Sequence, residues 1–172
     1  MKMKTIIRQV VLSAAVLGAA GCASYRWTSN VPKEMRTVCV PTFRNETDVT
    51  ELGAVASRQI LREFQREGTF RVARADDAAL EVQGVLKTEK ADYVGGDRRT
   101  GMRHSVQSLI VEAEVSVIDR RNGKVLVNNR KYTATGAFTT GADMSTHKRD
   151  ASGRVAEDLA TQIVDDVLNL KW

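Results

Sequence analysis

The chain has 172 residues, 42% of them hydrophobic and 27% charged, with 26 Lys and Arg against 21 Asp and Glu for a formal charge of +5. Three of those positive charges, Lys2, Lys4 and Arg8, fall in residues 1–21 with no acid among them, so the other 151 residues carry 23 basic and 21 acidic side chains and are only +2. So even a balance removes the compositional case for a nucleic-acid binder, and the length suits one domain with one core.

After the basic start, residues 10–20 are apolar or small apart from Ser13. This is the pattern of a signal peptide (residues 1–21), and its apolar run is too short to cross a hydrocarbon layer of about 30 Å at a helical rise of about 1.5 Å per residue. Ala19, Ala20, Gly21 and Cys22 resemble a bacterial lipobox, with Ala19 standing where that pattern usually has Leu. The resemblance implies that Cys22 becomes the new N-terminus and carries a covalent diacylglycerol and an N-acyl chain. Each buried methylene contributes about 0.8 kcal/mol, so three chains make a firm anchor. Ala23 follows where inner-membrane retention signals commonly place Asp, which implies delivery to the outer membrane. Residues 22–35 then read as a polar, lipidated tether, able to span about 40 Å at roughly 3.3 Å per residue.

Residues 37–41, TVCVP, are β-branched and stopped by Pro41, a short strand. Cys39 lies within it as a small buried hydrophobe rather than a nucleophile, and with Cys22 acylated it leaves no partner for an internal disulfide. Residues 42–50 are turn-rich. Asn45-Glu46-Thr47 fits a glycosylation triplet formally, but behind a bacterial leader it is better read as a turn.

Leu52, Val55, Ala56, Ile60 and Phe64 recur at helical spacing over residues 51–67, with Thr50 as the expected N-cap and Gly68 closing the helix. Residues 70–73 form a short extended piece, and Asp76-Asp77 a turn rather than a metal site. Two half-buried strands follow: one alternates Leu80, Val82, Gly84 and Leu86 against Glu81, Gln83, Val85 and Lys87, and the other covers residues 105–119. Asn122-Gly123 is a tight-turn signal because both positions tolerate positive φ, and it leads into a further strand over residues 125–138. Residues 139–149 are polar and read as a loop. A last helix carries Val155, Leu159, Ile163 and Val167 beside Ala156, Ala160, Val164 and Leu168.

The order predicts an α+β domain over residues 36–172: a single four-stranded mixed sheet with two amphipathic helices packed on one face. The first strand should run parallel to the one beginning near Leu80, with the later strands alternating. Loops 42–50, 92–104 and 139–149 then gather at one end of the sheet, and the tether and the Asn122-Gly123 turn at the other. Between Lys87 and Lys131 there are ten basic side chains against six acidic ones. Lys87, Lys90, Arg98, Arg99 and Arg103, on and beside the middle loop, are candidate ligands for phosphorylated groups through charge-assisted hydrogen bonds, although charge alone fits a solvated loop as well.

No P-loop, nucleophile elbow, HExxH or paired CxxC occurs, and the two histidines, His104 and His147, fall in predicted loops. The chain reads as a non-enzyme without a metal or a non-covalent cofactor. Taken together, Cys22 with its polar tether, RTVCVPTFRNET leading into a helix, LREFQREGTFRV followed by DDAALEVQGVL, the VIDRRNGKVL hairpin and the terminal EDLATQIVDDVLNLKW resemble the LptE family of outer-membrane lipopolysaccharide-assembly lipoproteins. That resemblance implies a non-covalent role: a plug that helps the LptD β-barrel assemble and contacts lipopolysaccharide on its way to the outer leaflet. The strand with F-x-N-x-T is also similar to the opening of lipoproteins that activate peptidoglycan synthases, which is the alternative reading.

Overall fold

The structure, a computed structural model, describes residues 30–89, 106–139 and 143–172. In chain order it contains β1 (Thr37–Cys39), β2 (Arg44–Glu46), α1 (Leu52–Glu67), β3 (Arg71–Val72), β4 (Leu80–Glu89), β5 (Val106–Asp119), β6 (Lys124–Thr139) and α2 (Met144–Leu168). Single 3-10 turns occupy Lys33–Met35 and Ala75–Asp77, the second where a turn is predicted.

The sheet is mixed, in the order β3-β1-β4-β5-β6, with β2 also paired to β4. β1 runs parallel to β4 through Val38↔Leu80, as the crossover predicts, and β5 is antiparallel to both β4 and β6. The described sheet has six strands rather than the four expected. The additional two are short: β3 pairs with β1 over two residues, and β2 pairs with β4 over three. β2 is fully exposed, so no burial pattern marks it; only the backbone of β4 beside it makes RNE a strand within the predicted loop. Since β5 occupies the other edge of β4, β1 and β2 follow one another along a single edge.

Both helices cover one face. α1 buries Leu52, Ala56, Ile60 and Phe64, four residues apart, and α2 buries Val155, Leu159, Ile163 and Val167 at the same spacing. They pack on each other and join Leu80, Val82, Leu86, Val111, Val115 and Phe138 of the sheet in one core. At Gly136 α2 lies so close that a Cβ would sit 2.8 Å from the Ala151 carbonyl oxygen. Phe64 and Phe70 meet edge to face at 5.3 Å, and Trp172 extends the aromatic contact from Phe70, docking the C-terminus.

Two local expectations are corrected and one is refined. Thr50 is not the cap of α1: Glu51 takes that place with φ 67° and no side-chain capping bond, because Asn45 and Thr47 organise the preceding turn through Val49. The predicted β5–β6 hairpin forms, with the connection running from Arg120 to Gly123; only Gly123 adopts positive φ, 72°, and its amide donates to the Asp119 carbonyl at 2.8 Å. The predicted loop 139–149 is largely absent, since β6 reaches Thr139 and α2 starts at Met144. His147 therefore sits on a helix. This first turn and a half is exposed or half-buried and shows no apolar period, which hid it.

Candidate functional site

The sheet face opposite the helices has no cover among the described residues and is largely polar, with half-buried Val85, Ile110 and Ile118 between its charged side chains. Opposing register brings Lys87 across from Glu112 and Glu114 across from Lys131. The charges interlock diagonally: Lys87 Nζ lies 2.7 Å from Glu114 Oε2, and Lys131 Nζ lies 2.9 Å from Glu112 and 3.6 Å from Glu114. Lys87, at 42% side-chain exposure, thus belongs to an alternating ladder on the open face, and its charge is matched. Below the ladder a groove of about 350 Å³ is lined by Arg44, Glu81, Gln83, Ser116 and Asn129. Asn129 stands at φ 46° at the bulge of β6, where its amide donates to Ser116 Oγ and that hydroxyl donates to Asn129 Oδ1.

At the end of the sheet beyond β4, the predicted convergence of loops is visible in Asp48. Its carboxylate accepts from Lys148 Nζ at 2.7 Å and from Thr88 Oγ1 at 3.4 Å, joining the segment after β2, the end of β4 and the start of α2. Lys148 and exposed Arg149 bring positive groups to this end that the sequence reading assigned to an undifferentiated loop. The only signal for them is a Lys-Arg pair ahead of the apolar helical stripe that begins at Val155. Cys22, Lys90, Arg98, Arg99, Arg103 and His104 lie outside the described residues, as do the bounds drawn at residues 21 and 22.

At the opposite end, Asp119 is buried and accepts from the Arg121 amide and guanidinium at 2.9–3.0 Å, while Arg120 pairs with Glu81. Pro32, Glu34 and Met35 line a cavity with Arg121 and Asn122, so the chain enters the fold beside this turn, as predicted. Cys39 is 5% exposed, and burial followed by the Glu81 charge pushes its thiol above the ordinary range, which fits a packing role. Among the described residues no cluster of His, Cys, Asp and Glu is arranged to hold a metal ion.

Three carboxyls are held below their ordinary values by hydrogen-bonded cations: Asp48 by Lys148, Glu114 by Lys87 and Asp119 by Arg121. A folded-state value below the unfolded one adds stability above the unfolded value and loses it as pH falls through the folded one. Urea unfolding free energy is therefore expected to change little from about pH 7 to pH 5 and to decline below about pH 4. Asp119→Asn should shrink that decline.

A family model described as LptE, lipopolysaccharide-assembly, matches residues 35–167. Among solved structures, the chain is similar to a minor lipoprotein from Acinetobacter baumannii, with 14% identity and a TM-score of 0.52 over 78% of this chain and 93% of that one. It is also similar to a protein from Xanthomonas campestris, with 11% identity and a TM-score of 0.50 over 78% and 84%. Likeness at these identities shows the fold. No curated protein matches the chain, and no helix among the described residues is long and apolar enough to cross a membrane.

Proposed function

The chain belongs to the LptE family of lipopolysaccharide assembly, and from that we propose that it is an outer-membrane lipoprotein, anchored through acylated Cys22, that plugs and helps assemble an LptD-type β-barrel. In that place it binds lipopolysaccharide in transit, without covalent chemistry. The observation that carries the reading is the extent of the family match, which runs from the end of the 3-10 turn before β1 almost to the end of α2 and so takes in nearly all of the folded core. On this reading residues 1–21 are the leader, 22–35 the tether and 36–172 the plug, with Val31 and Met35 of the tether packed into the plug's core.

Two features support the reading. A sheet face of alternating Lys and Glu can lie against a polar barrel wall, where opposite charges across a contact favour correct registration more than raw affinity. Lys148 and Arg149 stand at the end where β4 stops at Glu89 and β5 starts at Val106, and the sequence between those strands carries Lys90, Arg98, Arg99 and Arg103. Guanidinium and ammonium groups of these kinds suit lipid A and core phosphates.

Affinity capture of the tagged protein from membranes is expected to recover a large outer-membrane barrel together with lipopolysaccharide. Reversing Arg98, Arg99 and Arg103 to Glu should weaken lipopolysaccharide binding by about tenfold or more, a change of about 1.4 kcal/mol or greater, with salt sensitivity reduced and barrel recovery unchanged. Unaltered affinity would remove the loop assignment; recovery of a peptidoglycan synthase and no barrel would overturn the plug.

A further inference from the structure

β6 is sixteen residues long and pairs only with β5, so among the described residues its other side is the free edge of the sheet. The opposite edge ends in two-residue β3, too short to template another strand. A long free edge displays unpaired carbonyls and amides at every second residue, because residues two apart point the same way.

Three of these carbonyls are occupied by side chains from one helix. Gln162 Nε2 donates to Thr133 O at 3.2 Å and Arg154 Nη2 to Ala137 O at 2.8 Å, while His147 Nδ1 lies 2.9 Å from Thr139 O. All three acceptors share one parity and therefore one edge. The donors are spaced seven and eight residues apart, two helical turns each, so they form one stripe along α2. That stripe differs from the one formed by Val155, Leu159 and Ile163, which is fully buried and already docks the helix. Below the stripe, Asp166 accepts from Arg130 at 2.5 Å and from Tyr132 Oη at 2.7 Å, pinning α2 to the same strand.

We propose that His147, Arg154 and Gln162 latch the free edge of β6, keeping it closed to strand addition by a second copy of this chain. A strand laid along this edge would need the carbonyls that the latch occupies. The sequence suits a second copy: antiparallel pairing centred on Thr135 sets Thr135 against Thr135, Thr133 against Ala137 and Lys131 against Thr139, with no like charges directly opposed. The inference stands independently of the barrel reading.

The test removes the latch in the purified protein with His147→Ala, Arg154→Ala and Gln162→Ala together. Wild type is expected to sediment as a monomer. The variant, with unchanged circular dichroism, is expected to double its mass with rising concentration, while exchange of the Thr133, Thr135 and Ala137 amides slows by about tenfold or more. Adding Thr135→Pro, whose lost N–H points away from β5, should restore the monomer. A latch-free variant that stays monomeric overturns the proposal, as does an oligomer that Thr135→Pro leaves intact. Should the triple variant fail to fold, Arg154→Ala alone, at an exposed position, decides in the same way: dimer formation supports the latch and a strict monomer ends it.

Discussion

Replacing Gly84 by valine is expected to remove much of the folding free energy. A Cβ at Gly84 would lie 2.5 Å from Cε2 of Phe43 and 2.9 Å from Cδ2 and Cζ. The ring is 2% exposed and cannot retreat, because its own backbone is clamped from the other side. The Phe43 amide donates to Ser57 Oγ at 2.8 Å, that hydroxyl donates to Pro41 O at 3.2 Å, and the Phe43 carbonyl lies where a Cβ on Gly53 would have to go. Phe43 is thus wedged between α1 and β4. Overpacking such a site costs about 1–3 kcal/mol or more, and the branched side chain meets the ring on several atoms, so the upper end applies. Opening the space instead with Phe43→Ala should cost about 3–5 kcal/mol, a large part of a domain stability of about 5–15 kcal/mol. The double variant is expected to lose clearly less than the sum, since alanine at 43 vacates the space that valine at 84 fills. Urea midpoints for the three variants measure this; additive losses, or a Gly84→Val change below about 0.5 kcal/mol, would contradict the packing.

Changing Cys22 to alanine is expected to abolish membrane attachment. The proposed anchor consists of acyl chains whose burial contributes about 0.8 kcal/mol per methylene, and the described part of the chain contains no membrane-length helix to replace it. Fractionation should move the protein from membranes to the soluble fraction or leave it unprocessed with residues 1–21 attached. Mass analysis of the N-terminal peptide separates the two. Normal acyl mass, or full membrane retention of a processed variant, would refute the anchor. Barrel recovery by the unanchored protein should fall as well, because the proposed tether would confine the domain near the proposed barrel and raise its effective concentration.

The LptE family was legible in ordered pieces along the chain, and the family match covers those between residues 35 and 167, leaving Cys22 with its tether outside it. TFRNET shows why one such piece is informative. Phe43 fills the wedge over Gly84, and Asn45 accepts from Thr47 while donating to Val49 O, so the segment carries both a core contact and a self-organised turn. The candidate site was less legible. Lys87 looked like one of five basic side chains recruited to a loop, yet β5 places Glu114 2.7 Å away and makes it a rung of the open face. Such pairing joins residues 27 apart and depends on strand register, which a local charge count does not encode.

Wherever one side of an element meets the core, the sequence alone determined its type: Leu80, Val82 and Leu86 at period two, and Leu52, Ala56, Ile60 and Phe64 at four-residue spacing, report burial directly. The parallel crossover from β1 to β4 and the placement of both helices on one face follow from that and from chain connectivity. Tertiary structure alone decided β2, the pairing that turns the extended piece at residues 70–73 into β3, the first turns of α2 and the latched edge of β6. Those segments gain little from burying apolar side chains and are held by backbone hydrogen bonds or polar reach to distant neighbours, so their own residues carry no period that announces them.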